Sequence, residues 1–170
     1  MNIKDYIIDV PNFPKEGVIF KDITPLLMSP EAFYNVIENW AIALKKLKVD
    51  KILAAEARGF FFGAPLAIAM DLPFVPVRKK GKLPRETVSE SFGLEYGSSE
   101  LFIHKDAIEE GENVVIIDDV LATGGTAKAM INLAKKCGAN IAACSFLLEL
   151  DFLKGREKIN DENIIVLYHS

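Results

Sequence analysis

The stretch Val114-Val115-Ile116-Ile117-Asp118-Asp119-Val120-Leu121-Ala122-Thr123-Gly124-Gly125-Thr126 constrains this chain more than any other part of it. Apolar β-formers run into a pair of acids, a turn of small residues follows, and the turn opens onto residues 127–136, which are mostly good helix formers. A run apolar on both faces suits a parallel strand covered on both sides, and such strands present ligand sites at their carboxyl ends. Strand, turn and helix in that order make the crossover unit of a parallel sheet, so the stretch predicts an α/β protein.

Asp118 and Asp119 fall at the carboxyl end of that strand. Thr123, Gly124, Gly125 and Thr126 supply backbone N–H groups, two hydroxyls and two positions without Cβ just before a helix N-terminus, where the dipole is positive. That combination is a phosphate cradle. Its letters match neither Gly-x-x-x-x-Gly-Lys-Ser/Thr nor Gly-x-Gly-x-x-Gly. Carboxylates accept hydrogen bonds from sugar hydroxyls while amides hold phosphoryl oxygens, so a phosphorylated ribose has the complementary shape. The alternative is structural: the acids would cap the next helix and the glycines would make an ordinary tight turn.

Other segments place more chemistry at strand ends. Residues 3–14 read as a short helix leading into an irregular arm rich in Pro and Asn, and residues 18–27 are apolar without a clear period. Such an arm needs a surface to cover, so Phe20 is either core or part of a pocket. Ser29-Pro30-Glu31 is a helix start, with apolar residues at helical spacing from Phe33 to Leu47 and one face expected on the sheet. Lys51 to Ala55 is a short strand. After it come Glu56-Ala57-Arg58-Gly59 and the apolar helix Phe60 to Met70, so Arg58 can fork onto phosphate or a base edge, or pair at the surface with Glu56.

Phe74 to Arg78 is the next strand, and from Arg78 to Arg85 five cations occupy eight positions. The run is either a solvated face or the local positive charge that a pyrophosphate needs. Residues 86–99 are polar, carry Gly93 and Gly97, and read as a mobile hairpin or flap of the kind that excludes water. Ile141 to Leu150 and Asn163 to Tyr168 are further strands.

The formal net charge of −4 gives no general attraction to nucleic acid. Half of the 170 residues are hydrophobic, which suits one soluble domain spanning 1–170. There is no apolar run of membrane-spanning length, and Cys137 and Cys144 lack metal-site spacing. Free thiols in a cytoplasmic protein are therefore expected.

Residues Val115 to Thr126 resemble the 5-phosphoribosyl-1-diphosphate (PRPP) binding motif of the type I phosphoribosyltransferases. Further resemblances follow in that family's order. They are Phe13-Pro14-x-x-Gly17-Val18-x-Phe20-x-Asp22-Ile23-Thr24-Pro25, Glu56-Ala57-Arg58-Gly59-Phe60, Tyr96-Gly97-Ser98-Ser99-Glu100 and Leu153-Lys154-Gly155-Arg156-Glu157. The resemblance implies one domain: a mainly parallel twisted sheet flanked by helices, an N-terminal hood (1–30) and a flexible catalytic loop (81–100).

It also implies an activity, transfer of the 5-phosphoribosyl group from PRPP to N9 of adenine, yielding AMP and diphosphate with Mg²⁺ held mainly by PRPP rather than by the protein. Ala122, Thr123, Gly124, Gly125 and Thr126 would then bind phosphate, and Asp118 and Asp119 the ribose. Arg58, Gly59, Arg78, Lys79 and Lys82 would take the pyrophosphate, and Ile19, Phe20, Arg58 and Leu150 the adenine. Glu100 would act with Asp118 and Asp119 in catalysis, at the purine imidazole. A homodimer is implied as well, with the cationic loop near its interface. A regulator that senses nucleotides without turnover, and an enzyme using hypoxanthine, guanine or orotate, are the alternatives.

Overall fold

The computed structural model describes residues 2–93 and 97–170. Tyr96, from the flap motif, lies outside the described residues. The chain forms two compact units, Met1–Ala43 and Leu44–Ser170.

In the first unit a 3-10 turn (Ile3–Tyr6) leads into β1 (Ile8–Pro11), which pairs antiparallel with β2 (Ile19–Asp22), Val10 opposite Phe20. The connection is pinned locally. Asn12 adopts φ 58°, its side-chain oxygen accepts from the Gly17 amide at 2.9 Å, and the rings of Phe13 and Phe20 meet edge to face at 5.1 Å. Asp22 accepts from both the amide and the hydroxyl of Thr24 and so starts α1 (Thr24–Met28). α2 (Pro30–Leu44) begins where Ser29 accepts from the Ala32 amide at 3.3 Å, as the Ser-Pro-Glu signal predicts. The short helix expected from sequence is the 3-10 turn, and the hairpin takes the place of the irregular arm expected after it. Its strands are four residues long and have no fully buried face, so no apolar alternation marks them.

The second unit is a sheet of seven strands in the order β5-β6-β4-β3-β7-β8-β9. β3 (Lys51–Ala55), β4 (Phe74–Lys79), β7 (Asn113–Leu121), β8 (Asn140–Glu149) and β9 (Ile164–His169) run parallel to their neighbours among themselves. β5 (Thr87–Gly93) and β6 (Ser98–His104) form an antiparallel hairpin added at the β4 edge through Arg78 opposite Phe102.

Alternation along the strands sorts the helices. Leu53, Val114, Ile116, Cys144 and Phe146 join the core cluster that includes Ala127, Met130, Ile131 and Ala134 of α4 (Gly125–Lys136). α3 (Arg58–Met70) packs on the other face, where Gly59 lies against Ala54 and the Ile117 carbonyl. Strand ends and helix starts therefore meet along one edge of the parallel sheet, the expected place for a ligand.

Candidate active site

Arg58 and Gly59 are the first residues of α3 rather than part of a loop before it, and Asp118 and Asp119 lie near the carboxyl end of β7, which runs on through Leu121. This packing brings the two motifs into contact. Arg58 Nε lies 2.6 Å from Asp119 Oδ2, and a Cβ on Gly59 would stand 3.0 Å from Asp118 Oδ1. Glycine at 59 thus leaves room for the Asp118 carboxylate beside the positive end of α3. Asp118 Oδ1 also accepts from the Asp119 amide at 2.9 Å. Burial, with the Asp119 charge second, pushes the Asp118 carboxyl well above the usual carboxylate range. Burial raises the Asp119 carboxyl too, and the Arg58 guanidinium opposes that rise.

The two acids, Arg58, Lys79 and Thr126 line a cavity of about 350 Å³, together with Glu56, Phe92 and Ser99. Glu56 anchors its wall. It accepts from the Lys79 amide at 2.7 Å and from Arg78 Nε at 3.3 Å, and these partners hold its carboxyl below the usual range. Arg78 is thereby held against Glu56, and Lys82, which accepts from Arg78 Nη1 through its carbonyl at 3.5 Å, keeps an exposed side chain. Arg85, the last of the cationic run, turns elsewhere and pairs with Asp106 at 2.5 Å. The run is therefore divided: its first residues reach the strand end and its last does not.

α4 starts at Gly124, φ 80°, with no side chain capping its first amides, so those N–H groups are available to an anion. The turn before it is braced from the other side. A Cβ on Gly124 would collide with the carbonyl oxygen of Gly155, and one on Gly155 would collide with the carbonyl oxygen of Ala122. Gly155 is placed in turn by Arg156, which donates to both oxygens of the buried Glu149 at 3.1 and 2.6 Å. The Lys-Gly-Arg segment is thus a buttress under the phosphate turn. Gly125 is roomier, because a Cβ there would make only ordinary contact with the Phe92 ring at 3.6 Å. Thr123 is exposed, and Leu150 donates its amide to Leu121 at the end of β7 without lining the cavity. Ile19 and Phe20 belong to the first unit.

Glu100 lies apart from the cavity lining. It lies within β6, where Ser99 and Leu101 line the cavity and Glu100, between them, faces the other side of the hairpin. There its carboxylate accepts from the Ser89 hydroxyl at 2.8 Å. Within the expected hairpin or flap, the strand period of two decides which residues face the cavity. Phe92 and Ser99, directly opposite one another in the hairpin, were missed; an alternation read through 87–93 and 98–104 could have found them.

The carboxylate pair, the opposed guanidinium and the open helix start stand together at the carboxyl ends of the parallel strands. A family model described as a phosphoribosyl transferase domain matches residues 26–166, and the chain belongs to that family. Within it the chain is one of the adenine phosphoribosyltransferases. The adenine phosphoribosyltransferase of Maridesulfovibrio salexigens is 54% identical over 160 residues, covering 94% of each chain. The crystal structure of the Thermoanaerobacter pseudethanolicus adenine phosphoribosyltransferase is 52% identical with a TM-score of 0.96, covering 99% of this chain and 98% of that one. The Saccharomyces cerevisiae enzyme, solved with an imino-altritol bisphosphate and adenine, is 43% identical with a TM-score of 0.93 and coverage of 97% and 96%.

Proposed function

We propose that the chain transfers the 5-phosphoribosyl group from PRPP to N9 of adenine, giving AMP and diphosphate in purine salvage. The observation that carries the reading is the Asp118–Asp119 pair of β7, with Asp119 buried and Arg58 2.6 Å from it, near the uncapped start of α4. The amides from Ala122 to Thr126 bind the 5′-phosphate, and the two acids accept from the ribose hydroxyls. Arg58, Gly59, Arg78, Lys79 and Lys82 bind the pyrophosphate, with Arg58 and Lys79 nearest the acids. The adenine contacts of Ile19, Phe20, Arg58 and Leu150 rest on the family resemblance.

Departure of diphosphate from the anomeric carbon builds positive charge on the ribose, which the two carboxylates offset, while the cations steady the leaving group. As N9 attacks, its proton goes to solvent or to a phosphoryl oxygen. The acids leave few free oxygens once Arg58 occupies Asp119, which suits a Mg²⁺ held mainly by PRPP oxygens. When bound, the ion neutralises leaving-group charge. Phe61 and Ile68, one above the other on the outer face of α3 and 42% and 84% exposed, support a homodimer. The two free cysteines agree with a cytoplasmic location, and among the described residues no helix is long and apolar enough to cross a membrane.

The test is diphosphate release from PRPP and Mg²⁺ with each base in turn. Adenine is expected to support turnover and hypoxanthine, guanine and orotate are not. Binding of PRPP without release on any base would identify a regulator instead. Sedimentation at micromolar concentration checks the dimer, and a monomer there would exclude it.

A further inference from the structure

We propose that Glu90 is a positioning residue: it clamps β5 to α4 and so holds the ring of Phe92 over the Gly125–Thr126 turn, closing the cavity against water. The proposal deepens the transferase reading and rests on it.

β5 is the edge strand of the sheet, paired on one side by β6, and the hairpin it opens contributes Phe92 and Ser99 to the cavity. An edge hairpin has one neighbour to hold it, so its position over a ligand depends on a second anchor. Glu90 provides one. Its Oε1 accepts from Asn132 Nδ2 at 3.0 Å, its Oε2 forms a close ion pair with Lys136 Nζ, and Lys136 also donates to the Ser89 carbonyl at 2.9 Å. Asn132 and Lys136 are four apart on α4 and therefore share one helix face.

α4 is the rod that links this clamp to the phosphate turn. Gly125 begins it and Lys136 ends it, so Glu90 fixes the hairpin to the element whose open N-terminus is assigned to phosphate. Glu90 and Phe92 are two apart and point to the same face of β5, and the Phe92 ring approaches the place a Gly125 Cβ would take to 3.6 Å. With Glu90 attached, Phe92 is held above that turn; with Glu90 removed, the strand keeps its pairing to β6, the Lys136 bond to the Ser89 carbonyl and the packing of Val88 and Phe92 on the core, but loses the two side-chain contacts that fix its position along α4. A lid that fits loosely admits water to the anomeric carbon.

The competing reading is that Glu90–Lys136 is an ordinary surface pair with no bearing on turnover. The full-length protein with PRPP and Mg²⁺ distinguishes the two through two rates. One is AMP formation with adenine. The other is loss of PRPP without adenine, in which water attacks the anomeric carbon, the bond to diphosphate breaks, ribose 5-phosphate forms and a proton passes to solvent. Glu90→Ala is expected to lower kcat for AMP roughly tenfold and to raise the share of PRPP lost to water severalfold, with an unchanged melting temperature. The charge exchange Glu90→Lys with Lys136→Glu should restore much of the coupling.

Wild-type turnover and coupling in Glu90→Ala overturn the clamp. So does a fall in rate that simply follows a fall in melting temperature. Should Glu90→Ala not fold, Lys136→Met retains the Asn132 hydrogen bond and must show the same rise in hydrolysis, or the clamp is wrong. A wild-type protein that makes no AMP overturns both readings, whereas an active wild type with unaltered Glu90→Ala overturns the clamp alone.

Discussion

The carboxyl end of β7 and the hairpin of β5 and β6 both border the same cavity, yet they are held there by different means. β7 lies inside the sheet with β3 and β8 on either side, and Val114 to Ile117 are fully buried. Its acids and its turn are positioned by the core itself, by α3 through Gly59 and by the Gly155 buttress. The hairpin sits at the sheet edge, partly exposed through most of β5, and is located by polar contacts to α4 as well as by the packing of Val88, Phe92, Leu101 and Ile103 on the core. A site wall built from core tolerates little change in backbone shape. One built at an edge tolerates substitution in its fold but depends on particular side chains for its position.

The largest effect should come from the core-held wall. Asp118→Asn with Asp119→Asn is expected to lower kcat at least roughly a hundredfold, because the charges that face the developing positive ribose are gone. Stability should move the other way for Asp118 alone. Its carboxyl is raised in the folded state, so the native protein binds the proton more tightly than the unfolded chain. The stability this gives is complete below the unfolded value of about 3.9 and is lost as pH rises through the folded value. Asp118→Asn should therefore flatten the decline in melting temperature from pH 4 upward and melt no lower than wild type at neutral pH. A variant that melts lower at neutral pH would mean that Asp118 is a structural acid.

Next comes the turn. Gly124→Ala adds a Cβ where the Gly155 carbonyl already stands, at φ 80°, and should weaken AMP binding by roughly tenfold or more. Gly125→Ala makes only ordinary contacts, with the Phe92 ring and the Thr123 hydroxyl, and should stay within about threefold, since helical backbone accepts alanine. Calorimetric titration with AMP separates the two, and equal losses would argue that the turn relaxes as a unit.

The buttress should give a smaller change. Arg156→Met leaves Glu149 buried without its bidentate partner; because Arg156 is itself 44% exposed, the cost should be about 1–3 kcal/mol, below that of a fully buried pair. AMP binding should weaken with it. Denaturant melts that show no loss would leave the Gly155 packing without a need for the ion pair.

The smallest effect belongs to the hairpin's far side. Glu100 accepts from Ser89 away from the cavity, so Glu100→Gln and Glu100→Leu should both keep kcat within about threefold of wild type. A tenfold loss in the leucine variant alone would bring Glu100 back to the purine and break the contrast between the two faces of β6.

Sequence alone carried the part of this protein whose signal is local. An apolar run ending in Asp118-Asp119 and a turn of small residues before a helix state a parallel strand, a strand-end site and a phosphate cradle in consecutive letters. Lys51–Ala55 is legible as a strand from its short apolar run, and the Ser29-Pro30 helix start from capping. Tertiary structure decided what depends on partners distant in the chain. Arg58 meets Asp119 because β3 and β7 are neighbours, Gly155 underlies the Gly124 turn because β8 lies beside β7, and Arg85 leaves the cationic run because Asp106 lies within its reach. The side to which Glu100 or Phe92 points follows from hairpin register, and neither charge nor composition in a mixed, half-exposed edge strand carries that information.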